Sequence, residues 1–341
     1  MASEPTSPPP TIAAPARGRA VGMVVIGRNE GARLVRCLES CAREGTPVTY
    51  VDSGSTDGSP AAARALGAEV LALDMSVPFT AARARNEGFA ALLARCPGLE
   101  RVQFLDGDCE LIPGWLAAAS AFLDAHPEVA AVCGRRVERF PQASVYNRLC
   151  DLEWNTPVGE ARAFGGDVLI RVGALSAAGG YRPDLIAGEE PELCVRLRRA
   201  GWKIWRLGHD MTWHDAAMTR LKQWWKRSMR SGHAFAEGAW LHGAPPERHF
   251  LAETRRALLW GGALPLLLLV LTLARPALAW LWLVYPLQWL RVALKLRAQG
   301  QPLPWTQSAF FLLGRFAEAV GALRFWWGRT LERRSALIEY K

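Results

Sequence analysis

From Val21 onward, short apolar runs alternate with stretches whose apolar residues recur every three or four positions. VGMVVIG (21–27), VTYVD (48–52), EVLAL (69–73) and RVQFL (101–105) read as strands. The stretch 30–44 carries Leu34, Leu38 and Cys41 at helical spacing, and reads as a helix with Cys37 and Cys41 on its buried face. Strands alternating with helices predict a mostly parallel sheet covered by helices, hence an α/β domain, placed here over 20–210. Open sheets of this kind bind ligands beyond the carboxyl ends of their strands, so the chemistry is expected in the turns after them.

The pattern changes after Arg256. LLWGGALPLLLLVLTLA (258–274) and ALAWLWLVYPLQWL (277–290) are uncharged, separated by Arg275-Pro276. A helix needs about 20 apolar residues to span a bilayer, so the two short segments predict a tight or re-entrant hairpin. The competing reading is a buried hairpin of a soluble domain. Trp260, Trp280, Trp282 and Trp289, flanked by Arg255, Arg256, Arg291 and Lys295, favour the membrane, where such residues form interfacial belts and anchors. FFLLGRFAEAVGALRFWWGR (310–329) reads as an amphipathic helix lying on the membrane. Residues 211–254 are basic and aromatic and are expected as interfacial helices, with 255–341 as hairpin plus amphipathic helix. Residues 1–19, rich in Pro, Ala and Ser without period, are expected to be a disordered leader.

Charge sharpens the division. The chain has 41 Lys and Arg against 32 Asp and Glu, and the excess lies entirely in 255–341, which holds 12 basic and 3 acidic residues. Of 15 Trp, 13 follow residue 200. Basic residues set beside Trp and apolar runs point to a membrane partner, since a nucleic-acid surface would not need the apolar runs. Seven Cys without paired spacing, and no amino-terminal apolar stretch, imply a reduced, cytosol-facing chain.

Polar residues collect at the expected strand ends. Arg28-Asn29-Glu30 follows the first strand and Asp52-Ser53-Gly54-Ser55-Thr56-Asp57-Gly58 ends the second; each alone is an ordinary turn, with Asp57 a helix cap. After RVQFL come Asp106, Gly107 and Asp108. Two carboxylates on one side of an extended segment suit Mg²⁺ or Mn²⁺ carrying a diphosphate, and a capped Asp-Gly turn is the alternative. Arg83, Arg85 and Asn86 lie in PFTAARARNEGF (78–89), and Gly165-Gly166 precede an apolar run, allowing either a close ligand approach or a bulge. GEEPELCVRLRRAGW (188–202) crowds Glu189, Glu190 and Glu192 at the start of a basic helix. Pro191 suits its first position, and Glu192 can pair with Arg196 four residues on.

In this order, VVIGRNE, VDSGSTDGS, AARARNEG, FLDGDCELIPGWL, the GG turn and GEEPELCVRLRRAGW resemble the inverting family 2 glycosyltransferases of the GT-A fold, over residues 21–202. The resemblance implies a nucleotide-diphospho-sugar donor bound by Arg28, Asn29, Glu30, Asp52, Arg85, Asp106 and Gly166. Within that set Asp52 and Arg85 meet the base, and Asp106 the ribose-phosphate side. It implies Asp108 as metal ligand, with His214 as a further metal or diphosphate contact, and Glu190 or its neighbour Glu189 as general base. Two positions depart from the family pattern: Glu190 stands where Asp is usual, and Ser53 where a second Asp is frequent. Trp224, Trp225, Lys226 and Arg227 are candidate contacts for an acceptor sugar and its phosphates, or equally part of a basic interfacial helix. The activity so implied is transfer of a sugar to a lipid-linked or polysaccharide acceptor at the cytoplasmic face of the inner membrane. The alternatives are a sugar nucleotidyltransferase and a non-catalytic membrane scaffold. A dinucleotide oxidoreductase is disfavoured, because no GxGxxG follows the first strand.

Overall fold

The computed structural model describes residues 21–331, so the leader expected over 1–19 lies outside the described residues. The chain divides into two compact units. The first comprises residues up to Leu185 and Glu189–Ala217, and the second comprises Ile186–Gly188 and the residues from Met218 onward. The boundary expected at 210 would cut a strand that runs to His214, which is why the first unit extends past it.

The first unit is built on one mixed sheet. Its strands are β1 (Val21–Gly27), β2 (Val48–Asp52), β3 (Glu69–Ala72), β4 (Arg101–Asp106), β5 (Cys109–Leu111), β6 (Val129–Glu138), β7 (Gly159–Glu160), β8 (Val168–Arg171) and β9 (Lys203–His214). They lie in the order β3-β2-β1-β4-β8-β6-β9-β5, with β7 against β9. β1, β2, β3 and β4 are mutually parallel, as the strand–helix alternation requires. β8 then runs antiparallel to both β4 and β6. The apolar runs read from sequence are the buried strands: Met23, Val24, Val25, Val48, Val51, Phe104 and Leu105 have no solvent exposure. Helix Ala32–Ala42 buries Leu34, Cys37, Leu38 and Cys41, the face its spacing predicts. All seven cysteines are free thiols.

Register sets the position of the site. Gly27 of β1 pairs with Asp52 of β2, and Ile26 with Asp106 of β4, so three strand ends fall on one edge of the sheet. Because β8 is antiparallel to β4, with Phe104 opposite Val168, the residues before β8 arrive at the place where β4 ends. β9 lines up His214 with Glu138 of β6 and with Cys109 of β5.

The second unit is helical in its described residues. Leu251–Ala274 forms a continuous helix of 24 residues, an 18-residue stretch of which has mean hydropathy 2.2, and Pro276–Ala298 one of 23 residues with such a stretch at 1.3. Both exceed the apolar segments read from sequence, because the flanking residues continue each helix. By length, about 35 Å at 1.5 Å per residue, and by composition, each is long and apolar enough to cross a membrane. The helix Pro304–Thr330 departs from the expected surface helix, since its Gly314, Ala317, Gly321, Ala322 and Phe325 are buried within the unit. A side chain at Gly321 would strike the Met229 carbonyl, and one at Gly232 the Glu318 backbone; this helix and Leu221–His242 therefore approach backbone to backbone. Leu323 and Trp327 remain exposed on its other side.

A close contact of the same kind fixes helix Ala81–Arg95 on the sheet of the first unit. A Cβ at Gly88 would stand 2.6 Å from Val24 Cγ1 and 2.6 Å from Val51 Cγ2, both fully buried. Gly88→Ala is therefore expected to overpack the core and to lower stability by about 1–3 kcal/mol, read as a lower urea midpoint at unchanged m-value.

Candidate active site

Arg85 is the centre of the site. Helix Ala81–Arg95 begins at Thr80, whose hydroxyl accepts from the Arg83 amide, and this start carries Arg85 beneath the strand ends with a side chain only 2% exposed. Nη1 reaches Glu189 Oε1 at 2.8 Å and Glu190 Oε1 at 3.2 Å, while Nη2 reaches Asp106 Oδ1 at 2.9 Å. One guanidinium thus gathers a carboxylate from β4 and two from the start of helix Glu189–Arg199. Gly166 makes room for this, since a Cβ there would lie 2.3 Å from Asp106 Oδ2 and 2.9 Å from Arg85 Nη2. Arg85, one of the expected donor contacts, is thus engaged by three carboxylates, and Gly166, another, leaves the cluster room that a side chain would fill.

The two glutamates are not equivalent. Glu189 has a side chain 4% exposed and accepts the shorter Arg85 bond, whereas Glu190 is 16% exposed. Burial pushes the Glu190 carboxyl up to about 7, Glu189 beside it adds to the rise, and Arg85 opposes it. A carboxyl so placed can hold or release a proton near neutral pH, as a general base must. Glu192 does what its spacing suggests: it is paired with Arg196 through a 2.8 Å contact, outside the cluster. The helix begins at Glu189, so Pro191 sits within its first turn, two residues beyond the start.

Four residues that sequence reasoning passed over complete this side. Arg136, from β6, reaches Asp106 Oδ2 at 3.2 Å and Asp167 Oδ2 at 2.9 Å. Asp167 accepts from the Asp106 amide at 3.1 Å and from the Thr212 hydroxyl at 2.8 Å. Glu138 Oε2 stands 3.5 Å from His214 Nδ1 and accepts from the Ala216 amide at 3.1 Å. The available signal was acidic and basic residues inside or beside apolar strands, such as the Asp directly after Gly165-Gly166.

On the other side of Asp106, Asp108 is buried at the start of β5, with His214 Nε2 3.4 Å from Oδ2. The ligand atoms of Asp108, Cys109 and His214 lie within 4.8 Å of one another. Burial, the main cause, holds the His214 imidazole below its usual range, which leaves it neutral and able to donate a lone pair. Glu138 at Nδ1 orients it, the arrangement common behind metal-bound histidines. Cys109 is a poor partner for a hard cation, because burial raises its thiol well above the ordinary range and keeps it protonated. Asp108 and His214 together therefore fit Mg²⁺ or Mn²⁺ better than a thiophilic metal.

The remaining strand-end residues form a turn platform. Asp52 Oδ1 accepts from Tyr50 Oη at 2.9 Å, and Oδ2 from the Gly54 and Ser55 amides at 3.1 and 2.9 Å. The Asn29 amide donates to Ser55 Oγ at 2.9 Å, and Asn29 Oδ1 accepts from the Thr56 amide at 2.7 Å, tying the turns after β1 and β2 together. Arg28 lies over the Phe79 ring at 4.8 Å, and Glu30 pairs with Arg33 at 2.7 Å. Asn86 holds the Tyr181 backbone at both amide and carbonyl. In the second unit Trp224 is buried edge-on against Phe310 at 4.9 Å, so its ring is packed and not open to stack on a sugar. It stands on helix Leu221–His242 together with Trp225, Lys226 and Arg227.

Residues 23–178 match the family model for glycosyl transferase family 2. The succinoglycan biosynthesis protein ExoA of Rhizobium meliloti is 31% identical over 190 residues, which cover 52% of this chain and 57% of that protein. A TPR repeat-containing protein of Synechococcus elongatus is 35% identical over 138 residues, 40% of this chain and 32% of that one. The matches thus span about half and about a third of the length of these relatives. The mannosyltransferase PcManGT from Pyrobaculum calidifontis, solved with GDP-Man and Mn²⁺, superposes with a TM-score of 0.62 at 23% identity over 92% of this chain and 90% of that one. The two share the fold.

The raised Glu190 carboxyl has a stability consequence. An acid whose folded value lies near 7, above its ordinary 4.5, destabilises the fold above pH 7, progressively less as pH falls, and not at all below about 4.5. Glu190→Gln is expected to raise stability by roughly 1–3 kcal/mol at pH 8 and to leave it unchanged at pH 4, read from melting curves at the two pH values.

Proposed function

We propose that this chain, whose residues 23–178 match the family model for glycosyl transferase family 2 and whose fold is shared with PcManGT, is an inverting sugar transferase. It would use a nucleotide-diphospho-sugar and pass the sugar to a lipid-linked or polysaccharide acceptor at the cytoplasmic face of a membrane. The observation that carries this reading is Glu190: a partly exposed carboxyl near neutral pKa, held by Arg85 in the same ion cluster as the β4 carboxylate Asp106.

The steps follow from the residues present. The turns after β1 and β2, locked to each other through Asn29, Ser55 and Thr56, form the floor for the nucleoside, with Asp52 shaping its own turn. Asp106 is fixed by Arg85, Arg136 and its own amide, which bonds Asp167, so it meets the donor without rearrangement. Glu190 accepts the proton of the acceptor hydroxyl as its oxygen bonds to the anomeric carbon, and the bond from that carbon to the diphosphate oxygen breaks on the opposite face. The products are the inverted glycoside and a nucleoside diphosphate, with the proton on Glu190. Asp108 and His214 would hold a divalent cation, which when bound neutralises charge on the diphosphate. The structure of PcManGT with GDP-Man and Mn²⁺ supports that cofactor class, and the succinoglycan role of the Rhizobium relative supports a glycan acceptor. The two long apolar helices support membrane association.

Glu190→Gln is expected to lower kcat by at least about 10²-fold while a nucleotide-sugar still binds. The wild-type rate should fall tenfold per pH unit below about pH 7, since the base must be ionised. Full activity in Glu190→Gln, or an unchanged acid limb, removes Glu190 from this role. Asp108→Asn and His214→Ala should each raise the Mn²⁺ concentration needed for half-maximal turnover.

For the membrane assignment, full-length chain is expected to pellet with membranes and to need detergent for extraction, whereas a chain ending at residue 217 should stay in the supernatant. Full-length protein that is soluble without detergent overturns the assignment.

A further inference from the structure

Within the second unit, a cavity of about 200 Å³ opens among three helices. Arg256 and Arg315 line it from different helices, and Trp260, Gln288, Trp289 and Ser308 complete its polar and aromatic wall. Most of these groups have partners. Arg315 Nη1 meets Glu318 Oε2 at 2.6 Å, and Arg256 Nη2 meets Glu253 Oε1 at 3.5 Å while its Nε donates to the Ala252 carbonyl. Ser308 Oγ donates to the Trp289 carbonyl at 2.6 Å, and Trp289 Nε1 to the Trp305 carbonyl at 3.1 Å. With five N–H donors on each guanidinium, these contacts leave several unused on both arginines.

Gln288 is the anomaly. It stands on an apolar helix long enough to cross a membrane, lines the cavity, and its amide makes no side-chain hydrogen bond among the described residues. Its side chain is half-buried and faces the cavity, so within the membrane proposed above it would call for a ligand that accepts hydrogen bonds. The charge has the same sign of demand. Among the described residues, the ion-pair partners of Arg255, Arg256, Arg291 and Arg315 on these helices are Glu253 and Glu318. The sequence neighbours of the lining residues, Leu259 and Leu287, and the lining residue Phe311 are exposed apolar surface. A free phosphate would use the donors and leave that surface uncovered.

We propose that this cavity binds the phosphate of an anionic glycerophospholipid, with Arg256, Gln288 and Arg315 donating to its oxygens and the acyl chains covering the neighbouring leucine surface. The site is distinct from the transferase cluster and rests on the membrane association proposed above.

The test uses full-length protein in a neutral detergent, followed by thermal unfolding with short-chain phosphatidylglycerol, inorganic phosphate or an uncharged diacylglycerol. Phosphatidylglycerol should raise Tm in a saturable way, and the other two should not. Gln288→Leu and Arg256→Gln should each weaken that response about tenfold or more, the loss expected of one charge-assisted hydrogen bond. Arg256 is largely exposed, so its replacement leaves the packing intact and keeps the comparison decisive. An equal shift from inorganic phosphate, or an undiminished phosphatidylglycerol shift in both variants, overturns the site. Flotation on phosphatidylcholine vesicles separates the two ideas. Protein that floats without a phosphatidylglycerol-specific shift disproves the cavity assignment alone. Protein that shows the shift but does not float disproves the membrane assignment alone, and failure of both removes both.

Discussion

A single buried guanidinium organises the first unit. Arg85 meets Asp106, Glu189 and Glu190 at 3.2 Å or less, and without it three carboxylates from two elements would repel one another at the edge of the sheet. The balance is deliberately incomplete. Arg85 and Arg136 supply two positive charges to Asp106, Asp167, Glu189 and Glu190, so the cluster stays acidic, and the more exposed of the two glutamates is the one whose pKa is raised. An ionic network of this burial is a poor way to gain stability, because packed apolar residues of the same volume generally do as well or better. Its retention makes sense as a means of placing charge.

The backbone delivers that cluster through strand direction. Parallel β1, β2 and β4 put the Arg28, Asp52 and Asp106 positions on one edge. The antiparallel β8 reverses the chain and brings Gly166 and Asp167 to the same edge from the other side. Asp167 then bonds the Asp106 amide, so the first position of the Asp-Gly-Asp turn is held through its main chain as well as its side chain. The second aspartate is set separately, by the pairing that faces β5 with β9 and places His214 across from Asp108. One short turn thus feeds two different electrostatic environments.

Much of this was legible in the sequence, for a physical reason: the apolar period that makes strands and helices is local, and polar residues just after a strand are forced to the sheet edge. Asp106 and Asp108 were visible in that way; Glu189 and Glu190 stood out as carboxylates crowded at a helix start, and the Glu192–Arg196 pair by its helical spacing. Arg136, Asp167 and Glu138 were not, because their roles depend on which strand lies beside which, and the order β4-β8-β6-β9 is not written in any local pattern. For the same reason the carboxylate partners of Arg85, some 21 and 104 residues away in the chain, were not legible either. The departure at Glu190 becomes intelligible once both glutamates are placed. Glu189 takes the buried bond to Arg85, and the second acid, on its longer arm, keeps contact with the same guanidinium while remaining open to solvent.

The second unit follows an opposite logic. Its helices bury glycine and alanine, as at Gly314, Ala317, Gly321 and Ala322, and turn leucine and tryptophan outward, as at Leu266, Leu273, Trp280, Leu287 and Trp327. In water the hydrophobic effect would drive the large side chains inward, and the membrane association proposed above accounts for their outward placement. Contact between small faces gains close packing of backbones instead, which is how helices associate where the surroundings are already apolar. In such surroundings an amide such as Gln288 calls for a polar partner, whereas the Arg315 guanidinium already meets Glu318 and has only its remaining donors to offer a headgroup at the margin of the apolar layer.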